Sequence, residues 1–163
     1  MLGEELLLDP FTNGYLNLSR KELVSELRKG HSEFLNKIIP EIEQHFMILP
    51  TKIDRMNHRI LNDCFKRFND FRNELTKHIR FEETYVFPYL VGQSIESSSE
   101  KVDDFINIHE NHEEQLKEII QVINQKLIQL NYLMSYRILL IKLTYLLEKL
   151  EIHGKMEETL FTL

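Results

Sequence analysis

Apolar residues recur at steps of three and four over four stretches of this chain, the spacing of a single buried helix face. Leu23, Leu27, Leu35, Ile38, Ile42 and Leu49 mark the first stretch, and Leu61, Phe65, Phe68, Phe71 and Leu75 the second. Phe105, Leu116, Ile119 and Ile123 mark the third, and Leu139, Leu143, Leu146 and Leu150 the fourth. Ser19 followed by Glu22 is a capping box, hydroxyl and carboxylate satisfying opposite backbone donors, and it predicts where the first helix starts. This helix should run to about Ile48, kinked at Pro40, where a donor is lost and the ring crowds the preceding turn. Pro50 separates it from the second helix, which Pro88 and Gly92 are expected to end; Ser99 or a neighbour should cap the third. The break before the fourth falls near Leu130 to Leu133, without Gly or Pro. Residues 1–18 lack a sustained period and read as an irregular lead-in, leaving 19–163 as one domain. Four amphipathic helices on short connections bury their stripes most economically as an all-α, antiparallel up-down-up-down four-helix bundle.

Histidines interrupt these stripes. His31, His78, His112 and His153 fall at similar heights when successive helices run in opposite directions, within about one turn at roughly 1.5 Å rise per residue. His78 and Glu82 are four apart, as are His153 and Glu157, so each pair points one way from successive turns. A loose repeat results, in which a single histidine precedes a His-x-x-x-Glu pair by 47 residues in one half (78 − 31) and by 41 in the other (153 − 112). One histidine on an apolar face is ordinarily a hydrogen-bonded core residue, and one i,i+4 polar pair is commonplace. Two pairs levelled with two further histidines are different, because buried imidazoles and carboxylates cost several kcal/mol, to an order of magnitude, unless bonds, counter-charges or metals compensate. His31, His78, Glu82, His112, His153 and Glu157 are therefore the candidate metal ligands. Glu74, Glu83 and Glu158 read as solvated groups or as groups behind the ligands. His45 and His58 lie roughly 21 Å and 30 Å from His31 and His78 along their helices and read as structural or surface residues.

Composition narrows the chemistry. The chain of 163 residues is 42% hydrophobic and 28% charged, which suits a folded helical domain. A net charge of −6 without a Lys/Arg run argues against nucleic acid. No apolar run is long enough for a bilayer and no secretory leader is evident, so the expectation is a cytoplasmic protein. The single cysteine, Cys64, suits a reducing compartment and excludes an internal disulfide. Mixed imidazole and carboxylate donors disfavour iron–sulfur clusters and cysteine zinc sites; they suit paired iron or manganese, with zinc chemically compatible.

The segments Gly30-His31-Ser32-Glu33-Phe34-Leu35, Ile39-Pro40, His78-Ile79-Arg80-Phe81-Glu82-Glu83 through Phe87-Pro88, Asn111-His112-Glu113 and His153-Gly154-Lys155-Met156-Glu157-Glu158 resemble the hemerythrin-like family, especially its di-iron proteins implicated in repair of iron centres. The resemblance covers about residues 19–161. It implies two non-haem iron ions, with His31, His78, His112 and His153 as terminal ligands, Glu82 and Glu157 as bridges, and an oxo or hydroxo species completing the centre. It ranks iron ahead of manganese and zinc. Oxygen-carrying relatives place a His-x-x-x-His pair on the third helix and an aspartate on the fourth; here Leu116 follows His112 at i+4, which shifts the expectation from oxygen carriage to reactive or labile iron. The expected function is nitrosative or oxidative stress response through iron-centre redox or iron transfer to a damaged iron–sulfur protein. Its competitors are an oxygen- or nitric-oxide-sensing module, whose lead-in signals to a partner, and a metal-free interaction bundle. Oxygen, nitric oxide and peroxide are the expected small partners, with the chain a monomer or homodimer. His109 competes with His112, Tyr85 reads as a pocket wall or core residue, and no substrate pocket is legible. The chain ends at Leu163, soon after the last motif, which predicts a frayed final turn.

Overall fold

The structure is a computed structural model that describes residues 14–93, 99–107 and 112–163. Its described residues are all helix and turn, with no strand. A 3-10 turn, Gly14–Asn17, leads into α1, Arg20–Glu33. Ser19 caps α1 with the predicted box: its Oγ accepts from the Glu22 amide at 3.3 Å, and its own amide donates to Glu22 Oε2 at 2.8 Å. A π turn, Phe34–Ile38, joins α1 to α2, Ile39–Ile48. The expected kink at Pro40 is thus a widened turn placed just before the proline, where a missing donor and a bulky ring are tolerated.

The second helix, α3, spans Arg55–Phe81 and is capped by Asp54, which accepts from the Asn57 amide at 2.9 Å. Pro88 does not end it. A second π turn, Glu82–Val86, precedes Pro88 as the first precedes Pro40, and the chain stays helical through α4, Phe87–Leu90. Gly92, at φ 76°, supplies the left-handed residue that stops it. The third stretch is divided into α5, Ser99–Asn107, and α6, Glu113–Lys126. The break before the last helix is a 3-10 turn, Ile128–Tyr132, close to where it was expected. Helix α7, Met134–Thr162, is unbroken, and Leu160 near its end is buried, so the expected fraying is not seen.

Helix α7 packs on α1, α2 and α6, while α3 packs on α2 and α6, closing the four-membered ring of an antiparallel bundle. The larger apolar cluster fills the bundle from Phe34 and Ile79 to Leu49 and Leu130. A smaller one joins Tyr15, Leu23, Leu27, Val86, Phe87, Val102 and Leu160 at the other end. Tyr15 ties the described part of the lead-in to this end. No helix among the described residues is long and apolar enough to cross a membrane.

Candidate metal centre

The polar residues of the stripes lie where the two apolar clusters meet. In α1 the buried stripe Leu23, Leu27 continues as His31, whose ring stacks on Phe87 with centroids 5.5 Å apart and planes at 9°. His31 Nε2 lies 3.2 Å from Glu82 Oε2, and its Nδ1 lies 3.0 Å from Glu83 Oε1. At the end of α3, His78 Nε2 contacts the other oxygen of Glu82, Oε1. On α7, His153 Nε2 is 2.9 Å from Glu157 Oε1, and the ring lies 4.8 Å from that of His31 and edge-on to Phe34.

Donor atoms of His31, Glu82, His153 and Glu157 all fall within 4.8 Å of one another, a cluster able to hold a metal ion. His78 adjoins it through Glu82, and His112 adjoins His78, with ring centroids 4.9 Å apart. Four of the six predicted residues thus form the cluster, and His78 and His112 continue from it in a chain through Glu82. One stands on an unexpected backbone: His112 occupies the N-cap position of α6 rather than the interior of a helix. His109 lies outside the described residues. Tyr85 is 40% exposed and packs on Phe81, so it is not a core residue. His45 and His58 are elsewhere, His58 bonded to Asn62.

Burial by itself would push the His31 imidazolium down, yet its pKa is raised, because Glu82 at hydrogen-bonding range, Glu83 and the charge of Glu157 together outweigh that penalty. His31 Nε2 is nonetheless buried without a well-aligned hydrogen bond, an arrangement that a cation among these donors resolves. Gly30 makes room: a β-carbon there would lie 3.0 Å from His153 Nδ1. A cavity of about 460 Å³ is lined by His31, His78, His112, His153 and Glu157, with Glu113 of α6 and Gly154 of α7 also in its wall. It is the pocket that the sequence did not reveal, because its walls come from distant segments.

One of two roles open to Glu83 in the sequence, a solvated group or one behind the ligands, is settled by its place behind His31, and one contributor escaped the sequence altogether. Gly30, directly before His31, gave no hint that its missing side chain serves a histidine on another helix.

Neither a curated protein nor a solved structure matches the chain. A family model, the hemerythrin HHE cation binding domain, matches residues 23–163, which span the larger apolar cluster, the His/Glu cluster and the smaller apolar cluster apart from Tyr15. The chain belongs to the hemerythrin HHE family.

Proposed function

We propose that this chain holds two non-haem iron ions and serves in a cytoplasmic response to nitrosative or oxidative stress, through iron-centre redox or transfer of iron to damaged iron–sulfur proteins. The observation that carries the reading is the position of Glu82. One fully buried carboxylate turns Oε2 toward His31 of α1 and Oε1 toward His78 of α3, so its oxygens face different histidines. His31 and His153 adjoin on one side of it, His78 and His112 on the other. That arrangement supports one metal per histidine pair, with Glu82 and Glu157 shared.

Iron held there supplies one-electron chemistry and binding positions for small molecules. The protein's own residues orient and enclose. Four imidazoles and two carboxylates leave two six-coordinate ions short of ligands, and the cavity beside them admits oxygen, nitric oxide or peroxide. No thiolate takes part: Cys64 is buried in the larger cluster. A donor set of hard and borderline ligands without sulfur suits iron that can leave as well as iron that cycles.

A second reading, sensing of oxygen or nitric oxide, draws on a different contact. Phe87 stacks on His31 and shares the smaller cluster with Tyr15, which links the site to the start of the described chain.

Metal analysis with Mössbauer spectroscopy on the anaerobically reconstituted chain tests the centre: two coupled irons per chain are expected, lost with helicity retained in H78A, E82A, H153A and E157A. A coupled pair that survives these substitutions overturns the ligand assignment. Mixing the loaded protein with a damaged iron–sulfur protein separates the readings, since repair requires iron to appear in the acceptor and sensing requires reversible nitric oxide binding with iron retained.

A further inference from the structure

Behind His31, on the side away from the cluster, stands a carboxylate, and among the described residues none stands in that place behind His153. Glu83 Oε1 lies 3.0 Å from His31 Nδ1, within hydrogen-bond range. It is the second residue of the π turn Glu82–Val86, and the wider turn carries two successive glutamates to the same histidine, Glu82 to Nε2 and Glu83 to Nδ1. The corresponding residue of the second half is Glu158. It sits in the regular helix α7, and its side chain makes no hydrogen bond or ion pair among the described residues. On His153 the Nδ1 side is occupied by Gly30, whose β-carbon position is 3.0 Å from that nitrogen.

We propose that Glu83 is a positioning residue for His31: it accepts the Nδ1 proton, holds the ring in the tautomer whose Nε2 lone pair faces the cluster, and so tightens the metal position that His31 serves. The physical basis is general. A neutral imidazole carries one ring proton, and whichever nitrogen donates to an outer acceptor leaves the other free to ligate. A carboxylate in that outer role also raises the basicity of the ligating nitrogen. Phe87, stacked on the ring, fixes its plane, and Glu83 fixes its rotation within that plane. His153 is oriented by packing against Phe34 and the surface of Gly30, which restrains the ring without choosing its tautomer. The Glu83 side chain is 40% exposed, so its hydrogen bond is partly screened and its effect falls at the low end of the range for such contacts.

The proposal rests on the di-iron reading for its metal-affinity arm and is independent of it for its tautomer arm. The tautomer is read by long-range ¹⁵N–¹H NMR on the metal-free chain, at alkaline pH where the ring is neutral. Protonated Nδ1 is expected in the wild type and in Glu158→Gln. In Glu83→Leu the proton should shift wholly or partly to Nε2, while Glu83→Gln, which keeps an oxygen acceptor, should retain the wild-type form. In the second arm the chain loaded with ferrous iron is titrated with a chelator. One of the two irons should be held about tenfold more weakly in Glu83→Leu, less weakened in Glu83→Gln and unchanged in Glu158→Gln. Unaltered tautomer and affinity in Glu83→Leu, with circular dichroism showing the helices intact, overturns the proposal. Equal losses in Glu158→Gln and Glu83→Leu also overturn it, since they indicate a diffuse charge effect. If the wild type binds no iron, the di-iron reading fails and the NMR result alone decides the role of Glu83.

Discussion

In the first half of the centre His31 comes three residues before one π turn and Glu82 begins another, each turn followed at once by a residue and a proline. In the second half His112 stands at the mouth of α6, and His153 and Glu157 lie in an unbroken helix. The residue spacing of the His-x-x-x-Glu pairs is the same, but the backbones differ. A π turn inserts an extra residue and rotates the downstream side chains by about 100° relative to an ideal helix. The first half sets two successive glutamates against His31 at the opening of such a turn, whereas the second half relies on straight helix and a glycine's clearance. A sequence repeat can therefore conserve which residues point inward while the groups that support them are built differently.

The sharpest way to break this comparison is to remove one carboxylate from each half. Glu82 touches histidines on two helices, while Glu157 pairs with the histidine one turn before it. Glu82→Ala should abolish binding of both metals. Glu157→Ala should leave one bound, because the contacts of Glu82 to His31 and His78 survive. Metal content by mass spectrometry after desalting, in parallel with circular dichroism, decides the matter; equal loss from both variants would make the halves equivalent.

The two glycines beside His153 give the next largest contrast. A β-carbon on Gly30 meets the ring at 3.0 Å (Nδ1) and 3.4 Å (Cε1), and the ring packs on Phe34 and His31, so it yields only by leaving those contacts. On Gly154 it meets only the tip of Glu113 at 3.1 Å, a flexible carboxylate that can swing away. Gly30→Ala should weaken metal binding roughly tenfold, in line with losses on disturbing a ligand's support. Gly154→Ala should leave metal binding unchanged and stabilise the chain by about 0.5–1 kcal/mol through helix propensity. Chelator titrations and thermal melts of both variants test the pair.

These contrasts also mark what the sequence could and could not disclose. The stripes and the capping box at Ser19 were legible because apolar period and cap chemistry are local; helix rise and i,i+4 spacing put His31, His78, Glu82, His153 and Glu157 at one level, while the choice of His112 over His109 leaned also on the family resemblance. The π turns were not legible. Pro40 and Pro88 signalled a disturbance, but a proline tells only that a donor is missing, and whether the chain kinks, stops or widens depends on packing around it. For the same reason nothing local chose among Glu74, Glu83 and Glu158, which read alike as solvated groups or groups behind the ligands, and the cavity, assembled from four helices, had no local signature.

A smaller effect is expected where the hairpins differ far from the centre. The α2–α3 hairpin is locked by aromatic packing, Phe46 against Phe65 and Phe68 at 5.1 and 5.5 Å. The α6–α7 hairpin instead has the fully buried Tyr136 hydroxyl donating to the Ile123 carbonyl at 3.1 Å. That carbonyl also accepts from the Leu127 amide, so it stays paired when the hydroxyl is removed. Tyr136→Phe should therefore cost only about 1 kcal/mol in urea unfolding, with metal binding untouched. A loss of about 3 kcal/mol or more would show that this bond organises the hairpin rather than merely satisfying it.

Cys64, on α3, reports whether the hairpins open separately. Burial, with the charge of Asp63 adding to it, pushes its thiol up to about 11, so at pH 8 the arithmetic 11 − 8 leaves roughly one thiolate in a thousand. The sign is that of an acid whose charged form is penalised by the fold: reactivity rises as pH climbs toward 11, and rises at once on unfolding. Alkylation of the native chain at pH 8 should accordingly be slow, and Cys64→Ala should leave metal content unchanged. If the hairpins open together, Tyr136→Phe accelerates labelling by the same factor by which it raises the unfolded population, about fivefold for about 1 kcal/mol. If α2 and α3 open independently of α6 and α7, the labelling rate of Tyr136→Phe equals that of the wild type, and the larger apolar cluster behaves as two cooperating halves rather than one.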